Sequence, residues 1–261
     1  MLILDNSNRA GSRPAELVRR CTPAAAFVVF LLSLTVVASQ PVWAAQKDEK
    51  AQMLVDRATA TVNSFANDSQ FTYYYDGYLK TAKGFLIIPS MAKGGFIVGG
   101  SKGRGVLVTK DSDSGDWNGP AFYTLGSASI GLQAGGKSSE ILMIVTSERG
   151  INRLLNSGAK LGADLSVAVG PLGEGIGSAD IRADLIAFSK SKGFFGGASF
   201  EGSVVDVSQS RNRAYYGESL LPSEILIRGR GENDGSDLLI GSIIGLTTIE
   251  HTEKPTEDSS D

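Results

Sequence analysis

The sequence predicts an α+β domain in which a strongly curved, mainly antiparallel, glycine-rich sheet is flanked by helices at both ends. Apolar residues recur at helical spacing near the start, at Leu54, Ala58, Val62 and Phe65. Short apolar or alternating runs follow over residues 84–207, which is typical of strands. Glycine contributes 32 of the 261 residues, and glycines inside strands favour bends and bulges. A barrel-like sheet therefore follows more naturally than a flat one.

Residues 1–44 are predicted to be a secretory signal peptide that is cut after Ala44. A polar stretch with four arginines precedes an apolar run from Ala24 to Ala38, and Val42 and Ala44 stand at the positions expected before a cleavage site. A transmembrane anchor is the alternative, but crossing the hydrocarbon needs about 20 apolar residues, more than this run provides. We therefore expect an exported protein of the periplasm or cell surface.

Residues 45–230 are predicted to form a single domain. Its helical N-terminal part covers residues 45–83, its β-rich core covers residues 84–207, and two short helices cover residues 208–230. The remaining residues, 231–261, are acidic and polar apart from one apolar stretch, and we expect a partly disordered tail.

Two breaks are predicted inside the β-rich core. Pro89 follows the apolar run at residues 85–88 and is expected to end that strand, since proline cannot donate to a ladder. Residues 101–105 contain two glycines and two basic residues, lie between two alternating apolar pairs, and are interpreted as a tight turn.

Catalytic and metal-binding arrangements are scarce. The only cysteine, Cys21, lies in the predicted signal peptide, and the only histidine, His251, lies in the acidic tail. This excludes catalytic triads and metal sites that depend on cysteine or histidine, so we expect no metal, no cofactor and no enzyme activity. Paired carboxylates remain a distant alternative, with candidates at Asp164, Asp180, Asp184 and Glu201.

Residues 131–138 match the GxxxxGK[ST] pattern of a phosphate-binding loop. Such a loop requires a helix directly after the lysine and serine, whereas the apolar run at residues 141–145 predicts a strand. We interpret the match as a hairpin turn and expect no nucleotide. The net charge of −3 and the absence of a basic stripe argue against a nucleic-acid partner.

Basic residues recur beside glycines. Exposed backbone amides together with a neighbouring cation suit phosphate groups, and an adjacent Phe-Phe pair is of the kind that enters a membrane interface. Ordinary hairpin turns with solvated lysines are the alternative. The predicted lipid-binding residues are Lys83, Lys93, Lys102, Arg104, Lys190, Lys192, Phe194 and Phe195.

Several strings of the sequence, in order, resemble the SYLF domain family, a lipid-binding family of bacteria and of eukaryotic actin- and membrane-associated proteins. They are AKGFLIIPS (82–90), KGGFIVGG (93–100), GRGVL (103–107), WNGPAFY (117–123), LGADLSVA (161–168), KSKGFFGGASFEG (190–202) and NRAYYG (212–217). These strings span residues 82–217, and the resemblance as a whole covers about residues 54–228.

The resemblance implies a domain that binds phospholipid or a membrane surface. Phosphoinositides are the ligands of eukaryotic members, in which a basic amphipathic helix at the N-terminus of the domain contacts lipid, and fungal members bind actin. Here the corresponding residues 46–52 are mixed in charge. We expect a non-catalytic module that binds anionic phospholipid or a membrane surface and associates peripherally with the membrane.

A second hypothesis is a structural or protein-interaction domain of the cell envelope, with an envelope protein as partner. An aromatic stripe would contact the partner, although such periodicity is also typical of a buried helix face. The stripe consists of Phe71, Tyr74, Tyr75 and Tyr78.

Overall fold

The computed structural model describes residues 42–95, 98–130, 137–170, 172, 181–191, 200–231 and 233–250. The predicted signal peptide lies outside the described residues up to residue 41. The chain begins with three helices, α1 (Val42–Ala66), α2 (Ser69–Tyr74) and α3 (Asp76–Lys80).

The described strands are β1 (Gly84–Gly95), β2 (Val98–Lys110), β3 (Trp117–Ile130), β4 (Lys137–Val145), β5 (Ala159–Lys160), β6 (Val167–Val169), β7 (Leu185–Ser191) and β8 (Val204–Val207). Helix α4 (Glu148–Leu154) lies between β4 and β5. After β8 come α5 (Gln209–Tyr216), α6 (Pro222–Leu226), a 3₁₀ turn (Asp234–Ser236) and α7 (Asp237–Thr247).

All eight strands form one sheet in the order β5-β8-β3-β2-β1-β4-β7-β6. Neighbouring strands are antiparallel except β6 and β7. The edge strands β5 and β6 are joined by residues 161–166, and within this link the Gly162 amide donates to the Leu165 carbonyl at 2.8 Å. So short a link brings the two ends of the sheet together. The predicted α+β fold with a strongly curved sheet is thereby confirmed.

Both faces of the sheet are covered. On one face, Ile87, Val106 and Phe122 pack with apolar residues of α1, α2, α3 and α7. On the other face, Leu86 and Met143 pack with residues of α4 and α6. A strand that is buried on both faces has no need for polar alternation, which explains the continuous apolar runs at residues 85–88 and 141–145.

The two predicted breaks in the β-rich core are wrong. Strand β1 continues past Pro89, because a bulge between Ile87 and Ser90 takes the proline out of the regular ladder. Residues 101–105 are not a turn but the middle of β2. Gly105 is required by close packing: a Cβ there would lie 2.2 Å from the carbonyl oxygen of Ile87.

The helical segment after α1 is divided at Tyr75, which separates α2 from α3. Asp68 caps α2 by accepting a hydrogen bond from the Phe71 amide at 3.0 Å. Phe71 and Tyr75 are buried, and Tyr74 and Tyr78 pack against the same core. The aromatic stripe is therefore a core face, as its periodicity indicated.

The packed structure continues beyond residue 230, where the sequence suggested the end of the domain. Helix α7 buries Leu239, Ile243 and Leu246 in the core that also contains α1. Among the described residues, no helix combines the length and apolarity needed to span a bilayer. Residues 251–261 lie outside the description.

Candidate anion-binding site

A groove of about 720 Å³ lies between α1, the adjoining parts of β1 and β2, and α5. Basic side chains from three separate segments line it, and none of its described lining residues is acidic. The basic lining residues are Lys50, Arg57, Lys102, Arg104 and Arg211. The site is therefore cationic on several sides.

Helix α1 contributes two of these cations because it carries two different stripes. Its core stripe includes Ala51, Val55, Ala58, Val62 and Phe65, all buried. Its groove stripe consists of residues 50, 53, 54 and 57, at spacings of i, i+3, i+4 and i+7. Residues with these spacings lie along one side of a helix, so the two basic side chains project into the same groove.

Strand β2 contributes Lys102 and Arg104 through its two-residue period. The same period places them on the face of Val106 and Val108, whose side chains pack beneath α1. Both cations are exposed, whereas Val106 and Val108 are fully buried. The sheet thus extends beyond the part covered by α1, and its cations line the uncovered part.

Arg211 comes from the first turn of α5 and is partly buried. Burial lowers its pKa, and the nearby charge of Arg104 lowers it further. Its Nη1 donates to Ser208 Oγ at 3.0 Å, which orients the guanidinium. No salt bridge to any groove cation is found within the described part of the chain. Two close guanidinium groups without a carboxylate partner favour binding of an anion.

The groove also has an apolar part. Met53, Leu54 and Pro89 line it beside the cations. Met53 is 50 % exposed, which is high for a large apolar side chain next to a folded core. A ligand that carries both charge and hydrocarbon would meet matching surfaces here.

The eight predicted lipid-binding residues are not gathered in one place. Lys102 and Arg104 line the groove. Lys83 lies about 20 Å away along β1, where its Nζ pairs with Glu148 at 3.1 Å. The Lys93 side chain lies outside the description, as do Lys192, Phe194 and Phe195.

Lys190 has a structural role. Its Nζ lies 3.1 Å from Asp68 Oδ2, donates to the Ser64 carbonyl at 2.9 Å, and stands 4.7 Å from the centre of the Phe65 ring. These contacts join β7 to the junction between α1 and α2. A lysine engaged in this way is not available to a head group.

Sequence reasoning missed Lys50, Arg57 and Arg211. Lys50 and Arg57 could have been found from the sequence, since they lie seven residues apart on the polar side of a helix that the sequence predicts. Arg211 had none, because only folding brings α5 beside a strand more than 100 residues earlier.

Two of the four candidate carboxylates, Asp184 and Asp164, have structural partners. Asp184 accepts hydrogen bonds from the hydroxyls of Ser147 and Ser166, both at 2.7 Å, and lies 3.2 Å from Arg149. Asp164 lies 2.6 Å from Arg153. Glu201 is exposed, and Asp180 lies outside the description.

The described residues contain no group of three potential metal ligands. The expectation that the chain is not an enzyme stays a prediction.

Replacing Asp184 is expected to destabilise the fold in a pH-dependent way. Burial raises the pKa of this carboxyl, but the hydrogen bonds from Ser147 and Ser166 and the charge of Arg149 outweigh it and lower the pKa overall. A lowered carboxyl pKa stabilises the folded state above the unfolded-state pKa, and this stabilisation is lost as the pH falls through the folded-state pKa.

We therefore expect Asp184→Asn to reduce the free energy of unfolding at pH 7 by about 2 kcal/mol. The deficit should shrink as the pH falls below about 4. Urea titrations at several pH values would measure it, with the exposed Asp113→Asn as control. An equal deficit at all pH values would contradict the assigned role.

The GxxxxGK[ST] match is followed by a strand, as predicted: β4 begins at Lys137 and no helix follows directly. Residues 131–136 lie outside the description. The helix that a phosphate-binding loop requires is therefore missing at this position.

Comparison with known proteins identifies relatives. Residues 126–242 match the family model Ysc84, described as Las17-binding protein actin regulator. Protein YSC84 of Saccharomyces cerevisiae is 34% identical over 158 residues, which cover 58% of this chain and 33% of that protein. LAS seventeen-binding protein 3 of the same species is 34% identical over 154 residues, covering 57% of this chain and 33% of that protein.

The human SH3 domain-containing YSC84-like protein 1 is 33% identical over 149 residues, which cover 56% of this chain and 43% of that protein. The matched region thus accounts for less than half the length of each of these three relatives. The strings that resembled the SYLF domain lie partly within the matched residues 126–242. Residues 126–242 of this chain are thus similar to the SYLF (Ysc84) family, as are the segments that align with these relatives.

Proposed function

We propose that this SYLF-like domain is a non-catalytic binding module that holds the phosphate groups of anionic phospholipids in its basic groove. The observation that carries the proposal is the convergence of five cationic side chains without an acidic residue in the described lining. Such a concentration of like charge opposes folding unless a counter-ion or ligand is present.

The chemistry of these side chains suits phosphate. The guanidinium groups of Arg104, Arg57 and Arg211 present planar forks of N–H donors that match phosphate oxygens in pairs. Lys50 and Lys102 add compact charges around them. Each basic residue near an anionic membrane contributes about 1 kcal/mol, so the five together support salt-sensitive attachment.

Peripheral attachment also uses the apolar lining. Met53 lies between the two basic residues of the α1 groove stripe and exposes half of its surface. Insertion of this side chain among the head groups would add an apolar contribution to the charge contribution. If the signal peptide predicted for residues 1–44 operates, the membrane is one that faces the periplasm or the outside of the cell.

A protein partner is the second candidate. It is favoured by the description of the matching family as Las17-binding protein actin regulator and by the name of LAS seventeen-binding protein 3. In this case the groove would receive an acidic segment of the partner, which for an exported chain would be an envelope protein. The same cations would be used for either ligand.

Removal of two groove charges should weaken membrane binding. We expect Lys102→Gln with Arg104→Gln to reduce affinity for vesicles of phosphatidylglycerol and phosphatidylcholine by about tenfold or more at low salt. The effect should decrease at high salt because free ions screen the charges. Co-sedimentation at two salt concentrations measures both effects.

The matched control is Lys110→Gln with Lys160→Gln, which removes the same charge from exposed positions outside the groove lining. Equal weakening by the two pairs would show attraction by net charge alone and would contradict the groove. Failure of the unaltered chain to bind anionic vesicles would contradict the lipid proposal and leave the protein partner.

A further inference from the structure

A second groove, of about 530 Å³, lies where β3 begins, between the loop after α6 and one side of α7. Its volume falls in the range of about 300–1,000 Å³ that ligand-binding pockets usually have. Among the described residues it shares no lining with the basic groove. We call it the α7 groove, and its lining includes Trp117, Arg230, Asp234, Asp237, Ile240 and Ile244.

The α7 groove carries negative charge. Asp234 and Asp237 are exposed, and neither has a salt bridge within the part of the chain that the structure describes. Arg230 also lines the groove, but its guanidinium is paired with Glu224 and lies 3.9 Å from Glu218. The start of α7 suits acidic residues because of the helix dipole, yet this does not cancel two charges. The groove therefore favours a cationic ligand.

Trp117 gives the α7 groove an aromatic surface. Its ring packs against Phe85 at a centroid distance of 5.5 Å, so the indole is held by the core. Lys110 Nζ lies 5.9 Å from the centre of the same ring, which shows that a cation can approach the indole from outside the core. Arginine is the cationic residue whose flat guanidinium stacks on such a ring and also pairs with carboxylates through two donors. An indole beside two carboxylates therefore favours arginine over lysine.

Helix α7 adds an apolar wall. Asp237, Ile240 and Ile244 lie at spacings of i, i+3 and i+7, which places them along one side of the helix. Ile244 is 45 % exposed, and no atom lies within 4 Å of the position that a Cβ of Gly241 would occupy. The apolar surface continues at Leu238, which is 77 % exposed three residues before Gly241. Charge thus stands at one end of the wall and hydrocarbon along the rest.

The loop between α6 and α7 is held by local contacts. Asn233 Nδ2 donates to the Tyr215 carbonyl at 2.8 Å, and Asn233 Oδ1 accepts from the Gly235 amide at 2.9 Å. Gly231 has a φ of +91° and approaches Tyr216 so closely that a Cβ would lie 2.7 Å from its ring. A wall fixed in this way loses little conformational freedom when a ligand binds, which favours affinity.

We propose that the α7 groove binds a partner protein through a segment in which an arginine adjoins an apolar residue. The guanidinium stacks on Trp117 and pairs with the carboxylates of Asp234 and Asp237, while the apolar residue packs against Ile240 and Ile244. The exposed apolar surface extends farther along α7 than a small amine reaches, which favours a peptide. This inference goes beyond the proposed function, because phospholipid and peptide would use separate grooves of opposite charge.

The test measures the fluorescence anisotropy of a short fluorescein-labelled peptide that alternates arginine and leucine. We expect the full chain to bind it, and Asp234→Asn with Asp237→Asn to weaken binding about tenfold at low salt. Ile244→Ser, which removes apolar surface without changing charge, should weaken it about threefold or more. The matched control is Asp113→Asn with Glu201→Gln, which removes the same charge from exposed positions outside the α7 groove and should leave binding within about twofold.

Failure of the full chain to bind the peptide, or an unchanged affinity after Ile244→Ser, would overturn the proposal. So would equal weakening by the control pair and by the two groove aspartates, because net charge would then be the cause. A lysine–leucine peptide that binds as tightly would show that stacking and paired donors play no part. If N-acetylarginine amide displaced the labelled peptide as well as unlabelled peptide does, the ligand would be a small molecule and not a protein segment.

Discussion

Phe188→Ala is expected to lower the free energy of unfolding by about 3–5 kcal/mol, the usual cost of removing a large aromatic ring from a core. Phe188 is fully buried on β7 and makes edge-type ring contacts with Phe71 at 4.9 Å and Tyr75 at 4.5 Å. The ring also fills the space beside Gly170, where a Cβ would lie 1.9 Å from it. Its loss leaves a cavity between the sheet and α2.

Chemical denaturation with near-UV circular dichroism would measure this loss, because the aromatic contacts and the stability should decline together. Leu238→Ala is the control, since Leu238 is 77 % exposed and its truncation should cost little. A loss below about 1 kcal/mol for Phe188→Ala would mean that the three rings do not form the packed cluster described here.

Gly105→Ala is expected to cost about 2–4 kcal/mol, which is at or above the usual range for overpacking a core. The added Cβ would meet backbone, the Ile87 carbonyl oxygen at 2.2 Å, and also the Ile88 side chain at 2.8 Å. Backbone cannot rotate out of the way as a side chain can, so β1 and β2 must separate. Thermal unfolding would report the lower stability.

Gly77→Ala is the matched control. It places the same methyl group at an exposed position of α3, where no atom lies within 4 Å, and alanine is favoured over glycine in a helix by about 1 kcal/mol. We expect it to be neutral or stabilising. If Gly105→Ala and Gly77→Ala had the same effect on stability, this would contradict the close approach of β1 to β2 at Gly105.

Much of the fold could be predicted because the spacing of apolar residues within several segments indicates their secondary structure. Helix α1 was recognisable from Leu54, Ala58, Val62 and Phe65, whose spacing reflects one buried helix face. The runs at residues 85–88 and 141–145 indicated strands covered on both sides. These patterns depend on local geometry, which sequence displays directly.

The errors arose where one residue type serves two purposes. Glycine is required both in tight turns and where two backbones approach closely, and Gly103 and Gly105 serve the second purpose. Proline ends a regular strand but is compatible with a bulge, as at Pro89. The pairing partner of each strand decides between these alternatives, and a single sequence does not display it.

The groove was predictable only in part for a related reason. The sequence predicts Lys102 and Arg104 as binding residues because it predicts a turn at 101–105. The turn is wrong, but the alternation of strand β2 places the two side chains next to each other on one face. Lys83 has the same local pattern, and Lys190 lies two residues before another such lysine, yet they are engaged elsewhere by Glu148 and Asp68. Whether a basic residue is paired depends on tertiary neighbours, which the pattern of lysines beside glycines does not contain.

The groove draws its five cations from α1, β2 and α5, segments that meet only in the native fold. A nascent or partly unfolded chain carries the same charges dispersed along its length, without the convergent geometry that a phosphate recognises. Under the proposed function, affinity for an anionic ligand is a property of the completed domain, and by thermodynamic linkage a ligand that selects this arrangement stabilises it in return. Under that proposal, only natively folded chains would attach to a membrane.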